Sequence, residues 1–574
     1  MPLHNRDIAK EFEKVANLLE IKGDNQFRIR SYENAARTIA ELSQNVVDMA
    51  HNNEDLTQFP GIGKDLADKI HEIVETGHLS MIDKLAKEVP LSLIDLLDIE
   101  TLGGKKVGKL YRELGVKTLS DLETAAKQNK IRELEGFGKK TEEKILQEIE
   151  RLQKEPSVGR FLWAAAEELI GPLVEHLGDI EAIDKIITAG SFRRKKETVG
   201  DIDILVTCSE PEKVMDRFVH YEDVESTISH GTTKSSVKLR GGLQVDLRVV
   251  PDESYGAALH YFTGSKAHNV AIRKRGVERG LKINEYGVFR DDKLIAGHTE
   301  EEVFRTVELS YVPPELRENR GEVEAAETDQ LPELVTRKDI RGDLQTHSTY
   351  SDGAFSIEEM VQGAIELGYE YLAITDHSKR VTVANGLDEK RLAEQIEYIE
   401  RLNEKYPDFK IIKSVEVDIL EDGSLDLPDD VLKELDIVLC SIHYNRNLSR
   451  EKQTERVLRA MDNPHFNILA HPTGRLIGSR EAYEIDIYRV MEEAAKRGCF
   501  LEINSHPERL DLTDTNAKMA KELGLKVPIS TDAHTIDNLN NIRHGVSQAR
   551  RGWLEKRDVL NTYPWKELQA LLKR

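Results

Sequence analysis

Residues 190–208 read GSFRRKKETVGDIDILVTC. The final eight, DIDILVTC, are rich in β-branched residues and follow Gly200, which predicts a strand. Side chains two apart on a strand share a face, so Asp201 and Asp203 point together. Two such carboxylates repel unless cations sit between them, and beside phosphates the usual cation for oxygen ligands is Mg²⁺. A second predicted strand, LQVDLRVV at 243–250, carries Asp246, with Val245 and Leu247 facing the other way. Three carboxylates holding two metals can activate an attacking oxygen and stabilise a leaving pyrophosphate in line. Gly190, Ser191 and Arg194 add hydrogen-bond donors and charge for a triphosphate. A lone Asp-x-Asp also fits an exposed acidic strand; the upstream Gly-Ser and Arg-Arg pairs and the third Asp weigh against that.

Upstream, residues 6–50 hold two amphipathic patterns, RDIAKEFEKVANLLEI and FRIRSYENAARTIAEL, which predict helices separated at KGDNQ. A glycine turn then recurs three times: FPGIGKDLADKI at 59–70, TLGGKKVGKL at 101–110 and EGFGKKTEEKI at 135–145. Each opens a predicted helix, where exposed backbone N–H groups can cradle a phosphate. The turns resemble helix-hairpin-helix elements, which implies DNA-backbone contacts at Gly61, Gly63, Gly103, Gly136 and Gly138. Thr101 stands where the second copy should have its first glycine, and a purely structural turn is the alternative reading.

Downstream, residues 313–340 (PPELRENRGEVEAAETDQLP and beyond) are charged and lack apolar periodicity, which predicts a linker. After it, DLQTHSTYSDG, YLAITDH, IIKSVEVDI, IVLCSIH, NILAHP, FLEINSH and KVPISTDAH recur with helical patterns between. Short apolar runs ending in reactive residues are the rhythm of a (β/α) barrel, whose chemistry gathers at the C-terminal ends of its strands. His347, His377, His443, His471 and His534, with Asp352, Glu416 and Asp532, make a candidate multinuclear site. Imidazole suits Zn²⁺, Mn²⁺ or iron, and carboxylates can bridge neighbouring ions. Such a cluster would lower the pKa of bound water and hold a phosphate for hydrolysis.

The 574 residues predict several domains. Charge is 81 Lys+Arg against 104 Asp+Glu, a net −23, but unevenly spread. Residues 301–450 hold 17 basic and 34 acidic residues, residues 101–200 hold 19 and 17. One part can therefore bind phosphate while another collects cations. Three scattered cysteines exclude a disulfide scaffold or a cysteine zinc finger and fit a reducing compartment. Without an apolar run of about 18 residues or a secretory leader, the expectation is a cytoplasmic, nucleoid-associated protein with no membrane contact.

GSFRR…GDIDILV, VDLRVV, YFTGSKAHN and LKINEYG, in this order, resemble the family X DNA polymerases over residues 1 to about 315. The resemblance implies that Asp201, Asp203 and Asp246 hold the catalytic Mg²⁺ or Mn²⁺. Ser191, Arg194 and Gly200 match triphosphate-binding positions. Tyr261 and Phe262 match the pair beside the incoming sugar, Asn269 a contact to the incoming base and Arg273 a contact to the template. Gln244 departs from the arginine of beta-like enzymes. Residues 1–85 resemble a lyase domain, in which Arg28 and Tyr32 match positions near a 5′-phosphate and Lys69 falls on the Schiff-base lysine. Lys109 and Lys144 share Lys69's offset from the second glycine, so a solvated or phosphate-facing lysine is the plainer alternative.

THSTYSDG, ITDHS, EVDI, SIH, AHP and TDAH are similar to the PHP domains (polymerase and histidinol phosphatase), which implies a phosphoesterase site of up to three ions, Zn²⁺ or Mn²⁺. Gln345 replaces the first histidine of the usual His-x-His, with Asp343 as a candidate substitute; a degenerate, structural domain is the alternative. The expected order is a lyase-like helical domain (1–85), fingers with helix-hairpin-helix repeats (86–155), an α/β nucleotidyltransferase palm (156–255), a thumb (256–315), a linker (316–340) and a PHP (β/α)7-like barrel (341–574). The expected function is gap filling in DNA repair with a 3′→5′ exonuclease or other phosphodiesterase activity, on gapped or primed DNA with dNTPs, as a monomer. The alternatives are a polymerase with an inert barrel and a nucleotidyltransferase with a non-DNA acceptor.

Overall fold

The computed structural model describes residues 5–42, 46–99, 101–154 and 160–573. The chain divides into two compact units, 1–158 and 159–574. Among the described residues no helix is long and apolar enough to cross a membrane.

The first unit is helical. Helices Asn5–Lys22 and Gln26–Glu41 form where periodicity predicts them, and Asn25 caps the second by accepting from Phe27 N. Gly63 and Gly103 are the N-caps of helices Lys64–Thr76 and Gly104–Leu114, and a third helix, Lys139–Lys154, follows Gly138. Gly61 and Gly136 take φ of +84° and +86°, so each turn needs its first glycine. The expected boundary near residue 85 is not a break in packing: one apolar cluster runs from Ile8 to Ile149. Gly108 shows how close that packing is, since a Cβ there would lie 2.1 Å from the carbonyl oxygen of Ile21.

The second unit opens on a five-stranded sheet ordered Ile183–Thr188, Asp201–Cys208, Gln244–Val249, Lys234–Leu239, Val224–His230. Asp201–Cys208 and Gln244–Val249 run parallel, while the other pairs are antiparallel. Ile202, Ile204, Val245 and Leu247 bury the opposite face against helix Trp163–Gly178, which leaves the aspartates on the open face. Helices Tyr255–Thr263 and Lys266–Glu278, a three-stranded meander and helix Glu300–Thr306 follow.

Residues 313–340 differ from the expected linker. They contain helix Glu322–Glu327, and Arg317, Glu318 and Glu322 are buried. Their charges look solvated in sequence but are paired: Arg317 with Glu300 (2.5 Å), Glu315 with Arg550 (2.8 Å) and Glu318 with Arg551 (3.1 Å).

The C-terminal part is a curled parallel sheet. Strands Gly342–Thr346, Tyr371–Ile374, Lys410–Asp418, Ile437–Ser441, Ile468–Leu469 and Phe500–Leu501 pair in that order. Ile503–Asn504 continues the last of these and pairs with Ile529–Ser530. The curl returns to its start where His347 N donates to Ala533 O at 2.8 Å. Helices lie between successive strands, as a (β/α)7-like barrel requires.

Candidate functional site

In the palm, register places Asp203 directly beside Asp246, and Asp201 beside Gln244. Lys234 Nζ lies 2.9 Å from Asp246 Oδ2, and Gln244 Nε2 donates to Asp246 Oδ1 at 3.1 Å. Gln244, singled out in the sequence as a departure, thus holds the Asp246 carboxylate. Burial raises Asp246, but the hydrogen bonds from Lys234, Gln244 and Ser236 outweigh it and keep the group below the ordinary carboxylate range. Burial, then the Asp201 charge, push Asp203 up to about 6. A buried carboxyl raised by neighbouring carboxylates calls for positive charge, and this donor set of hard oxygens fits a divalent cation.

Gly190 opens the short helix Gly190–Arg193 at φ +64°, and a Cβ there would sit 3.3 Å from Asp203 Oδ2. Only glycine lets this turn close on the aspartate, which leaves Ser191 and the helix start beside the acidic face. Gly200 immediately precedes the Asp201 strand. Arg194 is held by Glu318 (Nε–Oε1 3.0 Å) and by the Thr263 carbonyl (2.5 Å from Nη1). Tyr261 and Phe262 meet edge to face, with centroids 5.1 Å apart, and the Arg248 guanidinium lies 4.4 Å over Phe262. Asn269 Nδ2 donates to Tyr261 O at 2.7 Å, and Arg273 is exposed one turn further along the same helix. Arg248 also stands 3.8 Å from Asp203 and 3.7 Å from Asp246. Sequence reading does not single out Lys234 or Arg248: Lys234 sits on a neighbouring strand and carries no local signal, whereas Arg248 follows Asp246 by two on the same strand and shares its face.

The barrel gathers all eight expected ligands. His347, Asp352, His377 and His534 form one group, His377, Glu416 and His443 a second, His347, Glu416 and Asp532 a third. His471 Nε2 is 2.8 Å from Glu416 Oε1. His347 Nε2 lies 3.1 Å from Asp532 and 3.5 Å from Glu416, so the three groups share members. His347 Nδ1, His377 Nδ1 and Glu416 Oε2 are buried without hydrogen-bond partners. Orphaned ligand atoms converging on shared carboxylates fit a multinuclear metal centre. Burial pushes His377 down to about 3, whereas for His534 burial is outweighed by hydrogen bonding to Asp352 and the Asp532 charge, which raise it to about 9. His471 and Asp532 take φ of +30° and +56°, strained conformations of the kind that cluster at functional sites.

The loop after the first strand is built by Asp376, which accepts from Ser348 N (2.8 Å) and Oγ (2.5 Å) and from Ser351 Oγ (2.5 Å). Gly353 closes it: a Cβ there would be 2.6 Å from the His347 backbone. Asp418 holds His443 at Nδ1 (3.2 Å), and Asn504 donates to Asp532 (3.1 Å). Asp418 follows Glu416 by two and shares its face, a signal that sequence reading passed over. Asp343 does not fill the role expected of it. Its carboxylate accepts from Thr531 N (3.1 Å), Thr531 Oγ1 and Gln345 N (3.2 Å), and it joins none of the three groups. The reason is geometric: it lies four positions before His347, roughly 13 Å back along an extended chain. Gln345 is fully buried, with both amide atoms unpartnered.

In the first unit, Arg28, Tyr32, Gly63 and Lys69 line one cavity of about 420 Å³. Lys69 pairs with Asp65 (2.5 Å) and is largely buried. Its counterparts differ: Lys109 donates to Glu135 O at 2.7 Å, and Lys144 is exposed. A Cβ at Gly63, Gly103, Gly136 or Gly138 would meet nothing within 4 Å, so these turns have open space beside them.

Family models match as helix-hairpin-helix domain (3–79), SAM-like helix-hairpin-helix tandem (93–151), DNA polymerase beta palm (166–251), DNA polymerase beta thumb (258–318) and PHP domain (343–506). The chain is 42% identical over 576 residues, covering 100% of both chains, to the DNA polymerase/3′-5′ exonuclease PolX of Bacillus subtilis (strain 168). The chain belongs to the family X DNA polymerases. Within the family, DNA polymerase lambda of Rattus norvegicus is 24% identical over 55% of this chain and 56% of its own. The barrel alone is 32% identical, over 38% of this chain and 89% of the relative, to a probable phosphatase of Thermoanaerobacter sp. (strain X514). This family X chain thus joins a beta-type palm and thumb to a PHP domain.

Proposed function

We propose that this chain fills short gaps in DNA, adding a deoxynucleotide to a primer 3′-OH, and that its barrel digests DNA 3′→5′. The observation that carries the first half is the pairing of Asp203 with Asp246 on parallel strands, with the Gly190 turn against Asp203. Divalent cations, Mg²⁺ or Mn²⁺, held by Asp201, Asp203 and Asp246 would activate the 3′-OH and neutralise the leaving pyrophosphate. Ser191, Arg194 and the backbone from Gly190 and Gly200 bind the triphosphate. Tyr261 and Phe262 wall the sugar, Asn269 meets the base, and Arg273 meets the template.

In the barrel, Zn²⁺ or Mn²⁺ held by His347, Asp352, His377, Glu416, His443, His471, Asp532 and His534 would supply a nucleophilic hydroxide at neutral pH. Asp418 orients His443, and Asn504 and Arg509 steady Asp532. The shared cavity of Lys69, Arg28 and Tyr32 supports a 5′-phosphate site and, as a second reading, an amine nucleophile for an abasic sugar. Borohydride trapping of the protein on abasic DNA, lost in Lys69→Ala, tests that reading.

The deciding experiment incubates the protein with a labelled gapped duplex, with and without dNTPs, in Mg²⁺ or Mn²⁺. Extension with dNTPs and 3′ shortening without them is expected. Incorporation that ignores the DNA template would overturn the polymerase reading, and no shortening in Mn²⁺ would leave the barrel structural.

A further inference from the structure

The barrel helix Ile542–Arg551 packs on the polymerase half of its unit. Arg543 pairs with Glu167 (2.5 Å), His544 meets Trp163 edge to face (5.6 Å), and Arg550 pairs with Glu315 (2.8 Å). Its last residue, Arg551, is almost wholly buried and reaches toward Arg194. Arg551 Nη1 donates to the main-chain oxygen of Arg194 (2.8 Å) and to Glu318 Oε1 (3.1 Å). The same Glu318 oxygen accepts from Arg194 Nε at 3.0 Å. On its other side, Arg551 Nη2 donates to Asp514 Oδ2 (2.6 Å), and Asp514 also pairs with Arg320 (3.0 Å).

We propose that Arg551, a residue of the PHP barrel, is a positioning residue for nucleotide binding in the palm, acting on Arg194 through Glu318 and through the Arg194 main chain. This rests on the reading of Arg194 as a triphosphate ligand. Arg194 uses Nε and Nη1 for Glu318 and the Thr263 carbonyl, which leaves Nη2 for a phosphate. A guanidinium fork binds phosphate well only when its plane is set in advance. Glu318 sets that plane, and Arg551, anchored by Asp514, fixes Glu318. Removing Arg551 leaves the buried Glu318 charge to Arg194 and to Lys196, 4.0 Å away, and the Arg194 backbone loses a donor. The catalytic carboxylates are untouched, so the loss falls on binding: KM for dNTP rises while kcat holds.

The test measures kcat and KM for dNTP in single-nucleotide gap filling, with melting temperature alongside, for Arg551→Ala, Arg551→Lys, Asp514→Asn and Arg194→Gln. Arg551→Ala is expected to raise KM about tenfold with kcat within about twofold. Arg551→Lys keeps the charge but cannot span all three partners, so its KM falls between; it carries the test should the alanine variant not fold. Asp514→Asn shifts KM the same way by less. Unchanged KM in Arg551→Ala and Arg551→Lys, with Arg194→Gln impaired, overturns the inference, as does a fall in kcat alone. An unchanged KM in Arg194→Gln overturns instead the triphosphate reading beneath it.

Discussion

Asp203 and His443 illustrate how single side chains carry the two proposed activities. Asp203 is pushed up to about 6 by burial and by the Asp201 charge, a cost that a bound cation removes. Asp203→Ala should lower nucleotide addition roughly a thousandfold, because a misplaced cation forfeits several kcal/mol of transition-state stabilisation. Digestion of single-stranded DNA by the same protein should persist; its loss without unfolding would refute the two-site arrangement. His443 is held at Nδ1 by Asp418 (3.2 Å) and Ser441 (3.1 Å), which leaves Nε2 toward Glu416 (3.5 Å). His443→Ala should abolish digestion and spare synthesis. Asp418→Asn should weaken metal affinity about 10–100-fold, since partners that orient a ligand histidine are worth that much. Metal titration followed by elemental analysis reads this directly, and unchanged affinity would show that Asp418 serves the fold alone.

Among the elements, the glycine turns and the strand ends are the parts most readily read in sequence. A turn at φ near +85° admits glycine and little else, so Gly61 and Gly136 announce themselves. Period-two alternation likewise puts Asp201 and Asp203 on one face and buries Ile202 and Ile204 on the other. The segment 313–340 has the composition of a solvated linker, and only partners elsewhere in the chain bury its charges. At this scale, gaps bearing a 5′-phosphate should be filled better than those with a 5′-hydroxyl. The motive is the cavity of Arg28, Tyr32, Gly63 and Lys69, where a phosphate gains charge-assisted hydrogen bonds at a helix N-terminus. Binding of either substrate should weaken as salt rises, by counterion release. Equal affinity for both ends at low and high salt would remove this cavity from the account.

For the 159–574 unit as a whole, a buried ion cluster that ties Arg193 and the 313–340 segment to helix Glu300–Thr306 sets acid stability. Glu300 is bound by Arg193 (2.6 Å) and by Arg317 (2.5 Å), itself fully buried. Burial alone would raise Glu300, but the Arg317 and Arg193 charges overrule it and hold the carboxyl at about 2. A depressed folded pKa gives stability that is complete above the unfolded value of 4.5 and is lost as pH falls toward 2. The shift corresponds to about 3 kcal/mol. Glu300→Gln should therefore be less stable than wild type at pH 7 by about 3–5 kcal/mol, the cost of leaving buried arginines unpaired. Urea unfolding at pH 7, 5 and 3 should show the gap unchanged between pH 7 and 5 and narrowed at pH 3, where the unfolded chain takes up a proton that the folded carboxylate still refuses; a gap independent of pH would rule out the charge as its source.

Sequence alone singled out the palm aspartates, the glycine turns and eight candidate barrel ligands; the order of the parts came from the family resemblance. The residues rest on local physics: strand period, backbone dihedrals and the chemistry of the donor atoms. It left undecided whether Lys69 differs from Lys109 and Lys144, where Asp343 points, and what Gln244 does, because each depends on neighbours far along the chain. Tertiary structure decided these, and it alone brought Arg551 to Arg194 across 357 positions. A buried charge has no local pattern; it is tolerated only where folding delivers its partner, so the polar network between palm and barrel becomes visible only once the chain has closed on itself.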